Sequence, residues 1–180
     1  ACAGAPGCVM GGIEILPVGS PAELDRFIKL PARLYAGDPA FVAPLVMERR
    51  EALSPTKNPY FAHAETQFWL ARRDGRDVGR ISAQIDRLVT DPDVGHFGMI
   101  VAEDDAEVFA ALFAAAEGWL RARGKRRIMG PFNLSINEET GLLIDGFDAP
   151  PVMLMGHDPR YAGPRIEALG YAKAKDLIAY

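Results

Sequence analysis

Residues 66 to 86 read TQFWLARRDGRDVGRISAQID. Asp74-Gly75 stands between two runs of period-two alternation, and this dipeptide accepts the positive φ that the tight turn between antiparallel strands needs. In the second run Gly79, Ile81, Ala83 and Ile85 share one face, while Arg80, Ser82, Gln84 and Asp86 share the other. A hairpin is expected, with GHFGMIV (95–101) as a third strand behind it. The period then changes. Asp104 or Asp105 caps a helix whose Phe109, Leu112, Phe113, Ala116, Trp119 and Leu120 form one apolar stripe, ending at Arg121, Arg123 and Gly124. Phe113 should be buried against the sheet.

Upstream, a short strand is expected at Ile13 to Val18, and SPAE (20–23) carries the signature of a capping box with proline at the first helical position. The helix that follows should be kinked or divided at Pro31. A proline-punctuated connector, GDPAFVAPL (37–45), leads to a short helix around Val46 to Leu53 and a loop, SPTKNPYFAHA (54–64). Downstream come a short strand in RRIMG (126–130), an extended run PVMLMG (151–156), a helix from about Arg160 to Leu169, and a strand in YAKAKDLIAY (171–180). The order implies an α/β sheet with helices packed on its faces.

One hundred and eighty residues, 49% hydrophobic and 24% charged, are the balance of one soluble globular domain. A net charge of -4 argues against a nucleic-acid partner, since phosphates are neutralised by surplus Lys and Arg. No apolar run approaches the ~18 residues of a membrane-spanning helix, so a cytoplasmic protein is expected. Both cysteines, Cys2 and Cys8, fall in the opening ACAGAPGCV, which leaves the body without a disulfide framework or zinc site. Residues 1–9 are expected to be a non-native or disordered leader, and 10–180 the domain. Its end at Leu177, Ile178 and Tyr180 breaks off inside a strand-like pattern, as the first half of a longer protein would.

The polar content concentrates in GPFNLSINEETGLLIDGF (130–147). Asn133, Ser135 and Asn137 alternate and run into Glu138 and Glu139, and polar side chains alternating along an extended segment face one way. A face of that kind needs partners, either internal or on a ligand. The functional reading is a floor for an amine acceptor, with Glu138 or Glu139 as general base. The structural reading is that these residues cap loops and satisfy backbone groups. His63, His96 and His157 have no metal-site spacing; His157, in HDPRY before the last helix, joins the substrate-binding candidates. The basic run Arg121, Arg123, Lys125, Arg126 and Arg127 complements a helix C-terminus or holds a phosphate, and Asp145 and Asp148 are turn formers or ligand contacts.

The element order, FWLARRDGRDVGRISAQID as a central hairpin, AALFAAAEGWLRARGKRRI as a long helix with its following strand, and RIEALGYAKAKD as the closing segment together resemble the GCN5-related N-acetyltransferases (GNAT, acyl-CoA N-acyltransferases). LPARLYAGDPAFVAPL, NPYFAHAE and GPFNLSINEETGLLIDGF also resemble a bacterial acyltransferase-like subgroup whose members often carry a second similar half. The resemblance implies a mixed, mostly antiparallel central sheet with helices on both faces. It further implies acetyl-CoA or another acyl-CoA as co-substrate, a small-molecule amine as acceptor, and a second half or a homodimer as partner. Two positions depart from the pattern. The turn before the long helix, where the family places a glycine-rich pyrophosphate cradle, reads VAEDDAEVFA, so this half alone should bind coenzyme A weakly or not at all. Where many members place a thiolate-protonating tyrosine, this chain has Ile166. The alternatives are a noncatalytic binding or scaffolding half with the same fold, and a nucleotide pyrophosphohydrolase, for which Glu138-Glu139 lacks companion carboxylates at helical spacing.

Overall fold

The computed structural model describes residues 8–10 and 12–178. Six strands lie in sequence order: β1 (Cys8–Met10), β2 (Ile13–Pro17), β3 (Ala64–Arg73), β4 (Arg76–Asp86), β5 (Val94–Ala102) and β6 (Arg127–Met129). The first five form an antiparallel meander, and β6 joins β5 in parallel. Among the described residues four α-helices accompany them, α1 (Pro21–Leu34), α2 (Val46–Ala52), α3 (Ala106–Arg121) and α4 (Ala162–Glu167), with a 3-10 turn at Pro59–Ala62. The expected mixed, mostly antiparallel α/β sheet is present. Cys8 and Val9, the last residues of the expected leader, pair with Ile15 and Glu14. Residues 1–7, Cys2 among them, and Tyr180 lie outside the described residues.

The β3–β4 hairpin turns at Asp74 and Gly75, with φ of 50° and 76°. Two positive φ values in succession are the mirror-image turn whose twist matches the strands. Alternation along β4 then sends its side chains to two different cores. Ile81 and Ala83 join the cluster built on α3, where Phe109, Leu112, Phe113 and Ala116 are each at most 1% exposed. Gly79 lies so close to Leu112 and Val108 that a β-carbon would be 2.8 Å from the leucine. On the other face, Leu70 of β3 and Met99 of β5 pack with Phe27, Ile28 and Leu30 of α1. Arg80, Ser82 and Gln84 point to this second face, under α1 and the loop after β6.

α1 has the expected capping box, the Glu23 amide donating to Ser20 Oγ and the Ser20 amide to the Glu23 carboxylate. It is neither divided nor ended at Pro31; the helix runs on to Leu34, and Tyr35 N–H still donates to Pro31 O. Pro31 forfeits the one backbone bond its missing N–H would have made, and its ring is buried.

Four other expectations are corrected. Residues 171–178 form no strand, and neither does 151–156. Tyr171 is nonetheless packed on Phe97 and Phe113, so the segment is held by aromatic contact rather than by a ladder. The last helix is shorter than expected, Ala162–Glu167. The polar segment 133–139 is also not extended. Leu134 has φ 92° and is buried, Asn133 N–H donates to Glu139 O, and Phe132 bridges Thr140, so the chain folds back as a tight loop. Asn133, Ser135 and Asn137 therefore do not share a face.

Candidate active site at the strand splay

β6 pairs with β5 only from Val94 to His96. Beyond that point the chain leaves β6 through Gly130-Pro131, with Phe132 N–H still donating to Phe97 O, and the two segments diverge. β5 bulges at the same level: its register with β4 slips between Arg80 and Ser82, and Met99 there has φ 50°. Positive φ at bulky residues such as Met99 and Leu134 persists only where surroundings over-determine it, and such strain gathers at functional sites. Here Asn133 Oδ1 accepts from Met99 N–H at 2.7 Å, and Gln84 Nε2 donates to Phe132 O and Leu134 O. Ser82 Oγ donates to Gln84 Oε1, so the buried side chains of Ser82 and Gln84 are spent on holding the loop.

A cavity of about 100 Å³ opens at this splay, between the bulge, α1, α2 and the segment 151–158. Of the expected site residues it gathers Asn133, Glu139 and His157. Ser135, Asn137 and Glu138 do not line it: Ser135 Oγ accepts from the Asn137 amide within the loop, and Asn137 is exposed. Burial raises the carboxyl pKa of Glu138, Arg49 acting in the opposite sense, but the group lies away from the cavity. Glu139 is committed on both sides, to the Arg49 guanidinium and, at 2.7 Å, to Asn133 Nδ2. It reads as a strut rather than a base.

His157 differs. Its side chain is 2% exposed, and Nε2 lies 2.8 Å from Asp38 Oδ2. Hydrogen bonds from His157 and from the Ala40 amide hold the Asp38 carboxyl below its ordinary range, so at neutral pH it is ionised and can only accept. The neutral ring must then carry its proton on Nε2, which leaves the Nδ1 lone pair as an acceptor. Nδ1 is buried with no hydrogen-bond partner among the described residues, in a side chain lining the cavity.

Four further lining residues escaped the sequence reading: Arg49, Arg80, Tyr35 and Asp158. Arg80 was placed on the correct strand face, but nothing in a period-two pattern says that a guanidinium ends in a cavity. Asp38 was read only as part of a connector. Asp158 accepts from Leu143 N–H at 3.0 Å, and burial pushes its carboxyl up to about 6 from 3.8. The sign follows. Between these values the unfolded chain is ionised while the folded protein keeps the proton, so this group's contribution to stability falls as pH rises through the window. Asp158→Asn, which can still accept from Leu143, is expected to stabilise the protein by about 2 kcal/mol at pH 8 and to do nothing at pH 3. Urea midpoints at the two pH values check this.

The pyrophosphate cradle that the resemblance would place before α3 has no counterpart at this turn. Asp105 caps α3 by accepting from the Glu107 and Val108 amides, and Glu103, Asp104 and Glu107 crowd the same end, paired with Arg76, Arg165 and Arg73. The first amides are taken and the local charge is wrong for phosphate. Ile166 is a core residue, and Tyr161 donates its hydroxyl to Ala102 O. No helix among the described residues is long and apolar enough to cross a membrane.

No model of a known protein family matches the chain. It is 64% identical over 172 residues to the bacterial ceramide synthase of Caulobacter vibrioides (strain NA1000 / CB15N), covering 93% of this chain and 45% of that protein. It is 51% identical over 161 residues to protein YghO of Escherichia coli (strain K12), covering 88% of this chain and 41% of that one. The chain thus spans less than half the length of these curated relatives. Among solved structures, a tandem GNAT protein from the clavulanic acid biosynthesis pathway superposes with a TM-score of 0.58 at 16% identity, over 88% of this chain and 43% of that one. Likeness at that identity establishes the fold, that of the GNAT acetyltransferases.

Proposed function

We propose that this GNAT-fold domain serves an N-acyltransferase, forming an amide from an acyl thioester such as acyl-CoA and a long-chain amine. The observation that carries the reading is the His157 Nδ1 lone pair in the cavity at the splay, with Asp38 fixing the tautomer. His157 Nδ1 accepts the proton as the amine nitrogen attacks the thioester carbonyl, and returns it to the thiolate when the C–S bond breaks. Asn133 and Glu139 hold the loop and Arg49 in place around it.

The acceptor class draws on two supports. A ceramide is an N-acylated long-chain amino alcohol, and the Caulobacter relative is named for making one. Next to the cavity, the segments 41–47 and 151–155, which contribute lining residues, leave Val42, Leu45, Met47, Val152, Met153 and Leu154 exposed. Apolar surface of that extent commonly marks an interaction site, and an alkyl chain leaving so small a cavity would run over it. The test, run on the protein as expressed in its host and not on the isolated 180-residue chain, is mass-spectrometric detection of the amide from palmitoyl-CoA with dodecylamine or butylamine. Dodecylamine should be acylated much the faster; equal rates would remove the long-chain assignment, and no product from either would remove the acyl-transfer reading.

The capped, acidic start of α3 favours a second reading, in which this domain holds the acceptor and takes no part in the chemistry. Under either reading coenzyme A should give the isolated chain no saturable thermal shift, whereas a ligand at ~100 times its dissociation constant adds ~2.7 kcal/mol. A clear shift at micromolar coenzyme A would contradict the account of that turn.

A further inference from the structure

His157 Nδ1 is one of three polar atoms belonging to cavity-lining side chains that are buried with no hydrogen-bond partner among the described residues; the other two are Arg80 Nε and Arg49 Nε. Both of these are donors only, on cations. We propose that Arg80, with Arg49 beside it, forms an anion subsite that receives the oxygen of the transferred carbonyl as it becomes an oxyanion. This inference rests on the acyl-transfer reading above.

Arg80 is held from behind. Its Nη1 donates to Phe27 O at 2.6 Å and its guanidinium carbon sits 4.7 Å from the centre of the Phe27 ring. No carboxylate among the described residues forms an ion pair with it. Burial lowers its pKa to about 9, which still leaves it protonated at neutral pH. Arg80 is half-buried with its Nε fully covered, and leaving such a charge unpaired is costly, so an anion arriving in the cavity would meet a cation whose Nε is uncommitted. Arg49 is half committed, its Nη2 bound to Glu139, which leaves Nε for a second contact. The other charged or titratable groups lining the cavity are Glu139, which attracts Arg80 from a distance but is bound to Arg49 and Asn133, Tyr35, which acts on Arg80 in the same sense, Asp158, whose burial favours the neutral acid, and His157, already bonded to Asp38.

The chemistry requires such a group. When the amine attacks, the carbonyl π pair moves onto oxygen while His157 takes the amine proton; collapse returns that pair to the carbonyl and expels the thiolate, which recovers the proton. A neutral carbonyl gains little from a guanidinium, and an oxyanion gains much, so a fixed cation in a water-poor cavity binds the transition state in preference to the substrate. The planar fork also makes Arg distinct from Lys here.

Hexylphosphonate, a tetrahedral anion on a short apolar tail, is the probe, with hexanol as its uncharged counterpart, in calorimetric titrations of the protein. Saturable phosphonate binding is expected, weakened about tenfold or more in Arg80→Met and by less in Arg80→Lys, with no matching binding of hexanol. Should Arg80→Met fail to fold, Arg80→Lys, which keeps the charge and the stem over Phe27, decides alone. Equal affinity in the wild type and the Arg80 variants, or hexanol binding as well as the phosphonate, overturns the subsite. Arg80-dependent phosphonate binding in a protein that forms no amide supports the subsite and removes the acyl-transfer reading instead. Amide formation with phosphonate binding independent of Arg80 removes the subsite alone.

Discussion

Gly98→Ala is expected to destabilise the protein by about 3 kcal/mol or more, at the large end for a single added methyl group. A β-carbon at Gly98 would fall inside the Phe132 carbonyl oxygen and 3.2 Å from Ser82 Oγ. The carbonyl cannot retreat freely: it accepts from Gln84 Nε2 at 2.7 Å, and the Phe132 amide donates to Phe97 O at 2.8 Å. Gly130 shows the same closeness from the other side, where a β-carbon would collide with Phe97 O. Relief of the clash must move the loop away from β5, break its bond to Gln84, and withdraw Asn133 from the Met99 amide, so the cavity should widen with the loss of stability. Gly163→Ala, with open space around it, is the matched control. Urea midpoints at unchanged slope measure both; a Gly98→Ala protein within 1 kcal/mol of the parent, the scale of an ordinary substitution, would show that the loop is not anchored as described.

The sheet was legible because its signals are local. Asp74-Gly75 needs only its own two residues to turn the chain, and the stripe Phe109, Leu112, Phe113 and Ala116 repeats at helical period, with Asp105 supplying the cap. The loop 131–139 was misread because the alternation of Asn133, Ser135 and Asn137 is a pattern without a ladder: Leu134 turns inward at φ 92° to fill the core, and tertiary packing overrides the period. The site was half legible. Asn133, Glu139 and His157 were candidates from polar density and position. Asp38 and Arg80 lie 119 and 77 residues before His157, and only the folded chain brings Arg80 into the cavity and Asp38 against the His157 ring that lines it. Neither has a local signature, since Asp beside Pro reads as a turn and Arg on a strand reads as a solvated face.

His157→Ala is expected to lower kcat for amide formation by ~10²–10⁴-fold, the usual contribution of a positioned base, with KM for the amine much less affected. Asp38→Asn should share part of the loss. An amide that turns its NH₂ toward Nε2 would reverse the tautomer and point an N–H, rather than a lone pair, into the cavity. Because His157 is buried, rates are to be compared per folded molecule. Glu138→Gln, by contrast, should leave kcat nearly unchanged, its carboxyl being outside the cavity. A large loss with Glu138→Gln and none with His157→Ala would move the base back to the loop.

The most direct measurement is rescue of His157→Ala by free imidazole. Removing the side chain leaves room for that ring beside Asp38, whose carboxylate remains to orient it. Added imidazole should restore amide formation in His157→Ala with saturation, while leaving the parent protein unaffected. Amide formation by His157→Ala at the parental rate, indifferent to imidazole, would contradict the assignment of proton transfer to this cavity.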